Sequence, residues 1–101
     1  MTVKEFIQMV NEGEFWSLGA VDDSDLGEGF ERIESGNDLD EHRWYSTAED
    51  IYKLEDGYVG VYGLFQIFSE WDYAKDYGIK CEAYEVEPVP SIKYIPKRSN
   101  G

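Results

Sequence analysis

Basic residues, cysteines and long apolar runs are all scarce in this chain of 101 residues. Nine Lys and Arg stand against 22 Asp and Glu, a formal net charge of −13. Direct binding to nucleic acid is therefore not expected, because it requires clustered basic residues against phosphate. No apolar run approaches the roughly 18 residues that span a bilayer, and no secretory leader is evident. The single cysteine, Cys81, cannot form an internal disulfide, which fits a reducing compartment. Together these features predict a cytoplasmic protein that does not enter a membrane.

Aromatic residues, in contrast, are plentiful. Eight Tyr, five Phe and three Trp predict a hydrophobic core, although the high charge alone would favour disorder. A chain of this length supports one core and no more. We therefore predict a single domain over residues 1–101.

The negative charge is concentrated in one part of the chain. Residues 21–41 carry nine carboxylates against Arg32 alone, which is more than half of the net charge. One interpretation is a solvated loop that keeps the protein soluble. The other is an anionic surface that imitates the phosphates of nucleic acid, since alternate residues of an extended chain, such as Asp38 and Asp40, stand about 6.6 Å apart. The candidate partner-binding carboxylates are Asp22, Asp23, Asp25, Glu28, Glu31, Glu34, Asp38, Asp40 and Glu41.

The first residues predict a helix over 2–12. Thr2 is a favourable N-cap and Glu5 follows three residues later, which is the capping-box pattern. Apolar residues then recur at helical spacing, and Gly13 stands where helices commonly end.

The rest of the chain predicts short strands. Gly57 indicates a hairpin turn and is expected to adopt a positive φ. Gly60 and Gly63 indicate either a bulge or a close backbone approach. Residues 22–41 predict a long loop or a set of turns, which a short element around residues 30–33 would interrupt. Ser69 is a candidate cap for one helical turn over 70–77. Strands are predicted over 14–21, 43–54, 58–68, 79–87 and 91–95. The expected fold is α+β, an N-terminal helix packed on a small antiparallel sheet of about four to five strands.

Nothing in the chain has the pattern of a catalytic or metal site. His42 is the only histidine, and no serine lies in a nucleophile motif. Cys81 precedes an acidic residue, which would raise the pKa of its thiol. Asp23, Asp25 and Glu34 have the spacing of three calcium ligands in an EF-hand loop, but the sixth position is Glu28 where that loop requires glycine. We therefore expect no enzyme activity, no metal and no cofactor.

Aromatic side chains supply a second kind of candidate site. Most are expected in the core because they follow strand alternation. Trp71, Tyr73 and Tyr77 lie in a less regular segment after the strongest strand. Tyr and Trp are favoured at protein interfaces, so these three are predicted to contact a partner, Trp71 and Tyr73 above all.

Three stretches together resemble small acidic proteins encoded by phages and mobile elements of Gram-positive bacteria. They are His42-Arg43-Trp44-Tyr45, the run from Asp56 to Val61 and the run from Glu82 to Glu87, within residues 42–95. The resemblance implies an anti-restriction or anti-CRISPR type of protein, which would occupy a basic nucleic-acid channel of a defence nuclease. It assigns no role to any single residue, and residues 22–41 lie outside it.

Two functions follow as hypotheses. The first is a non-enzymatic phage-type inhibitor, acting in the bacterial cytoplasm, whose acidic surface binds the basic cleft of a CRISPR effector such as Cas9 and competes with DNA. The second is a phage accessory or structural adaptor that binds another protein through a sheet edge and exposed aromatics. The sequence leaves open the partner, the step blocked and the oligomeric state.

Overall fold

A computed structural model describes residues 1–24 and 29–88 of the chain. Within them, four strands form one antiparallel sheet in the order β1-β2-β3-β4, so each strand pairs with its neighbour in sequence. A short 3-10 turn, Ala74–Tyr77, precedes the last strand. The helices and strands are α1 (Val3–Glu12), α2 (Leu18–Asp22), β1 (Glu31–Glu41), β2 (Tyr45–Leu54), β3 (Gly57–Ile67) and β4 (Glu82–Val86).

Helix α1 begins and ends where the sequence predicts. The Thr2 hydroxyl accepts a hydrogen bond from the Glu5 backbone N–H, and the Glu5 carboxylate accepts one from the Thr2 N–H at 2.9 Å. This reciprocal pair satisfies two of the donors that a helix start leaves open. The Gly13 N–H then donates to the Met9 carbonyl at 3.1 Å and ends the helix.

The core lies between the two helices and one face of the sheet. Phe6 and Val10 of α1 are fully buried, as are Val59 and Val61 of β3. Leu18 and Val21 of α2 belong to the same core cluster, so both described helices cover the same face. The predicted α+β fold, a helix packed on an antiparallel sheet, is therefore confirmed. The opposite face, which carries Tyr62 and Tyr84, is called here the open face.

The hairpin of β2 and β3 also confirms the sequence prediction, with one difference in its turn. The backbone turns at Glu55 and Asp56, as expected. Gly57 does not adopt the positive φ that was predicted. In the described residues the glycines with positive φ are Gly29, Gly36 and Gly78. A Cβ on Gly57 would instead meet the Val3 side chain at 3.1 Å. The glycine at this turn thus makes room for α1.

The strand predicted over 14–21 is wrong, since residues Leu18–Asp22 form helix α2. Ser17 is its N-cap, and the Ser17 hydroxyl accepts a hydrogen bond from the Ala20 N–H at 3.2 Å. A short apolar run does not distinguish a strand from a buried helical turn. The cap is the local signal that would have separated the two.

The loop predicted over 22–41 is wrong for its second half, which is strand β1. The short element expected around residues 30–33 coincides with the start of that strand, which continues to Glu41. Strand propensity is low for Gly, Asn and Asp, but pairing with β2 outweighs it. The Cα partners run from Glu31 opposite Lys53 to Glu41 opposite Ser46. Asp25 and Glu28 lie outside the described residues, as does the strand predicted over 91–95.

Candidate protein-binding surface

Among the strands of the described residues, β1 lies at one edge of the sheet, and it carries five of the nine predicted carboxylates. Glu31, Asp38, Asp40 and Glu41 are exposed, and Glu34 is half-buried. Arg32 is the only basic residue on the strand. The sequence therefore identified the charge of this surface, although it did not identify the strand that holds it.

The other two described carboxylates of the acidic segment lie in and next to α2. Asp23 is exposed and follows the helix as its C-cap. Asp22 is half-buried and faces the sheet, where the Tyr52 hydroxyl donates to it across 3.5 Å. Asp22 thus holds the fold together and is less available to a partner than the carboxylates on β1.

A buried carboxylate of β2 attaches β1 to the core. Asp50 is 1 % exposed, and its Oδ1 accepts a hydrogen bond from the Gly36 N–H at 3.0 Å. The Arg32 guanidinium lies 3.8 Å from Asp50 Oδ2 and 3.5 Å from Asp22 Oδ2. A buried charge is tolerated when it is paired and hydrogen-bonded. Asp50 and Arg32 therefore hold the acidic strand against β2. No local pattern in the sequence predicts this pairing.

Irregular pairing shifts the positions of the β1 carboxylates. Gly36 and Asp38 have φ values of 75° and 53°, in the left-handed region. The register with β2 shifts on both sides of Asn37, from Glu34 opposite Ile51 to Asp40 opposite Thr47. Asp38 is therefore not extended, so the condition under which Asp38 and Asp40 would have phosphate-like spacing is not met at Asp38. Such bulges twist an edge strand and discourage another strand from pairing with it.

The open face adds carboxylates that the sequence analysis did not select. The Tyr84 hydroxyl on β4 donates a short hydrogen bond to Glu49 Oε2 on β2. It reaches Glu49 across β3 at Gly60, where a Cβ would lie 2.9 Å from Glu49 Oε2 and 3.1 Å from Tyr84 Cζ. The close approach predicted at Gly60 is thus confirmed, and that glycine was the sequence signal for this pair.

Negative charge surrounds the Tyr84 hydroxyl and raises the pKa of this phenol. Burial raises the pKa of Tyr84 most, followed by the hydrogen bond to Glu49 and the charge of that carboxylate. The charges of Glu82 and Asp38 raise the pKa further. Carboxylates from β1, β2 and β4 therefore act on one point of the open face. The acidic surface extends from the edge strand onto the sheet.

Exposed aromatic side chains lie at the end of the sheet where β2 begins and β3 ends. Trp71 is 88 % exposed and Tyr73 is 79 % exposed, so both side chains are accessible to a partner. Tyr77, selected with them, is half-buried and packs against Tyr45, so it is less accessible. Trp71 shares a surface cleft with Trp44 and Phe68, which are about half exposed. The expectation that most aromatics lie in the core is wrong for the ten between residues 44 and 77, since one is buried, three are half-buried and six are exposed. Trp44 and Phe68 are exposed because they lie just outside the ends of their strands. Tyr73 does not line this cleft.

His42 and Cys81 occupy positions that differ in exposure. The His42 ring is stacked on Tyr45, with centroids 4.6 Å apart, and its Nε2 lies 3.4 Å from Asp40 Oδ2. Cys81 is buried against α2 and Gly63, where a Cβ would lie 2.6 Å from the Cys81 sulfur. Burial first, and then the charge of Asp50, raises the pKa of the Cys81 thiol to about 12. A thiol that remains protonated is a poor nucleophile and a poor metal ligand.

Residues 1–24 and 29–88 contain neither a candidate metal site nor a helix that could span a membrane. No group of three or more His, Cys, Asp or Glu side chains is arranged to hold a metal ion there. Across the same residues, no helix has the length and apolar character needed to cross a bilayer.

Comparison with known proteins adds no relative from which function could be transferred. The resemblance to phage-encoded proteins therefore stays a prediction, and the function has to be argued from the surfaces described above. No family model, no curated protein and no solved structure matches this chain.

Proposed function

We propose that this protein is a non-enzymatic inhibitor that binds the basic nucleic-acid cleft of a bacterial defence nuclease. The proposed partner is a CRISPR effector such as Cas9, whose channel is lined with basic residues that contact the DNA backbone. The carboxylates of β1 would lie against those basic residues and compete with DNA. A site of action in the bacterial cytoplasm belongs to the same proposal.

The observation that carries the proposal is the attachment of β1 to the core. A flexible acidic loop would lose conformational entropy when it binds, and this loss weakens affinity. The carboxylates of β1 are already positioned by pairing with β2 and by the Arg32–Asp50 ion pair. Their mutual repulsion costs stability in the free protein. A basic partner would relieve that repulsion, and charge complementarity would speed association.

The open face supports the proposal with a second set of charges. The charges of Glu49, Glu82 and Asp38, from three different strands, all raise the pKa of Tyr84, and Glu49 accepts a hydrogen bond from its hydroxyl. The acidic surface therefore has width as well as length. A wide surface fits the floor and wall of a channel better than a single row of charges does.

The test is competition between this protein and DNA for a purified Cas9–guide complex. The variant carries Glu31→Lys, Asp40→Lys and Glu41→Lys, three exposed positions on β1. We expect the wild-type protein to displace labelled target DNA in a salt-sensitive manner. We expect the triple variant to lose at least tenfold in inhibition, because each reversed charge repels the basic cleft.

The matched control reverses three exposed carboxylates elsewhere, with Glu12→Lys, Glu14→Lys and Glu87→Lys. Both variants change the net charge by the same amount, so only the location of the change differs. Circular dichroism shows whether each variant is folded. Equal inhibition by the wild-type protein and the β1 variant would refute the proposal, as would an equal loss in both variants.

A second candidate function, an adaptor that binds a protein through exposed aromatics, is favoured by the exposure of Trp71 and Tyr73. An adaptor of this kind would bind with little dependence on salt, because screening weakens exposed charge interactions and leaves apolar contacts in place. It would lose its partner on Trp71→Ala or Tyr73→Ala. Partner capture from bacterial lysate at low and high salt separates the two functions.

A further inference from the structure

The cleft at the end of the sheet combines aromatic surface with negative charge. Trp44 immediately precedes β2, and Phe68 immediately follows β3, where the Phe68 N–H donates to the Trp44 carbonyl at 2.8 Å. This hydrogen bond fixes the two aromatic residues side by side. Trp71 completes the cleft together with the carboxylates Glu70 and Asp72.

The geometry of the segment after β3 keeps Trp71 at the surface. The Trp71 N–H donates to the Ser69 hydroxyl at 3.3 Å, and the Tyr77 hydroxyl donates to Asp72 Oδ2 at 2.7 Å. The Tyr77 ring in turn packs against Tyr45 of β2, with centroids 4.7 Å apart. The segment is therefore held to the sheet on both sides of Trp71, and yet the indole remains 88 % exposed. The indole is therefore held in place without being buried, which leaves its faces accessible to a partner.

The chain itself shows which chemistry suits these aromatic rings. The Arg43 guanidinium lies over the Trp44 ring, 5.0 Å from its centroid. A guanidinium stacks on an indole through its flat face and is drawn to the ring electrons. Glu70 and Asp72 give the same cleft two carboxylates, which attract a cation and repel an anion. Charge complementarity thus favours a basic side chain over an apolar or acidic one.

We propose that this cleft binds an arginine side chain of a partner protein, with the guanidinium stacked on Trp71 and paired with Glu70. The site is separate from the acidic face of β1. It does not depend on the inhibitor proposal, and it assigns a ligand chemistry to one of the two aromatic positions that the adaptor function would use. Arginine is favoured over lysine because its planar guanidinium stacks and pairs at once.

The experiment uses the indole N–H signals of Trp16, Trp44 and Trp71 in NMR spectra of the labelled protein. The probe is the peptide Gly-Arg-Ser-Gly-Arg-Ser at about 150 mM salt, where long-range attraction is screened. Its counterpart with citrulline has the same shape and no charge, and its counterpart with lysine has the charge and no flat guanidinium. We expect the arginine peptide to move the signals of Trp44 and Trp71 and to leave that of Trp16 in place.

The arginine peptide should bind about three- to fivefold more tightly than the citrulline peptide, as an exposed cation–π contact implies. Trp71→Ala should abolish the shift at Trp44, while Tyr73→Ala, which removes an equally exposed ring outside the cleft, should not. Glu70→Gln should weaken binding and Glu31→Gln should not. Equal binding of the citrulline peptide, a shift that survives Trp71→Ala, or no shift at Trp44 and Trp71 would each overturn the proposal.

Discussion

Among single residues, Gly60 controls a contact that joins three strands. Tyr84 crosses β3 at this position to reach Glu49, and any side chain on residue 60 would stand in the path. A glycine lowers the stability of the fold somewhat, because it loses more conformational freedom on folding than any other residue. A Cβ at residue 60 would meet both partners of this hydrogen bond, so the bond would have to shift to accommodate it.

We therefore expect Gly60→Ala to destabilise the protein by about 1–3 kcal/mol, the usual cost of forcing atoms into a filled space. Its Cβ would lie 2.9 Å from Glu49 Oε2 and 3.2 Å from Val86 Cγ1. The control is Gly19→Ala in α2, where no atom lies within 4 Å of the added Cβ and helix propensity favours alanine. Urea denaturation should show a loss at residue 60 and no loss at residue 19. Equal midpoints for the two variants would contradict the account of Gly60.

Cys81 makes stability depend on alkaline pH. Its pKa is raised to about 12 in the folded protein, mainly by burial, from an ordinary value of 9.0. Above pH 9 the unfolded thiol loses its proton while the folded thiol keeps it, so stability falls as pH rises. The expected loss between pH 8 and pH 10 is about 1 kcal/mol.

Urea denaturation at both pH values measures this loss in the wild type and in Cys81→Ala. The alanine variant is less stable at either pH because it leaves a small cavity, but its stability should change less between them. The window stops at pH 10 because tyrosines of the unfolded chain lose their protons above that pH. Burial raises the pKa of Tyr52 and Tyr84 in the folded protein, so these two groups would then lower stability as well. An identical pH dependence in the two proteins would rule out the thiol as its source.

At the scale of elements, the attachment of β1 depends on one buried group. Asp50→Ala would leave the Gly36 N–H without its acceptor and would remove one of the two carboxylates beside Arg32. We expect amide hydrogen exchange to become faster along β1 and stability to fall by about 1–3 kcal/mol. The matched variant is Asp40→Ala, whose carboxylate is 69 % exposed. If exchange in β1 responded equally to the two substitutions, the role given to Asp50 would be wrong.

Elements with a local signal were predictable from the sequence, and those that depend on distant pairing were not. The capping box of α1 lies within four residues and was identified, as was the turn between β2 and β3. Only the start of strand β1 was expected, because most of its residues disfavour strands and the group that holds it, Asp50, lies fourteen positions from Gly36. For the same reason the sequence identified Trp71 as exposed but did not predict that Trp44 and Phe68 would share its cleft.

At the scale of the whole molecule, the net charge of −13 opposes the compact state. Salt screens this repulsion, since the Debye length falls from about 30 Å at 0.01 M to about 8 Å at 0.15 M. We expect the melting temperature to rise by about 4–8 °C over that range, equivalent to roughly 1 kcal/mol in a domain of this size. Thermal melts followed by circular dichroism measure the rise.

The β1 triple variant supplies the comparison for this prediction. It carries less negative charge, so its melting temperature should depend less on salt than that of the wild type. If it also melts at a higher temperature at low salt, the acidic strand is maintained at a cost to stability. A melting temperature that is flat or falls with salt would show that the repulsion is compensated within the fold.

The hydrogen bonds of Asn11 can form only late in synthesis, because their partner lies near the other end of the fold. Its side-chain amide donates to the Ala83 carbonyl at 3.0 Å and accepts from the Ala83 N–H at 2.7 Å, so the end of α1 is tied to the edge of β4. Roughly seventy residues separate these two partners, and a ribosome moving at about 5–20 residues per second needs about 4–14 s to supply them. Throughout that interval the apolar stripe of α1 has no β4 to cover it. Nascent chains that stall before residue 83 should therefore be targets for chaperones and proteases, although most of the sheet has already been made.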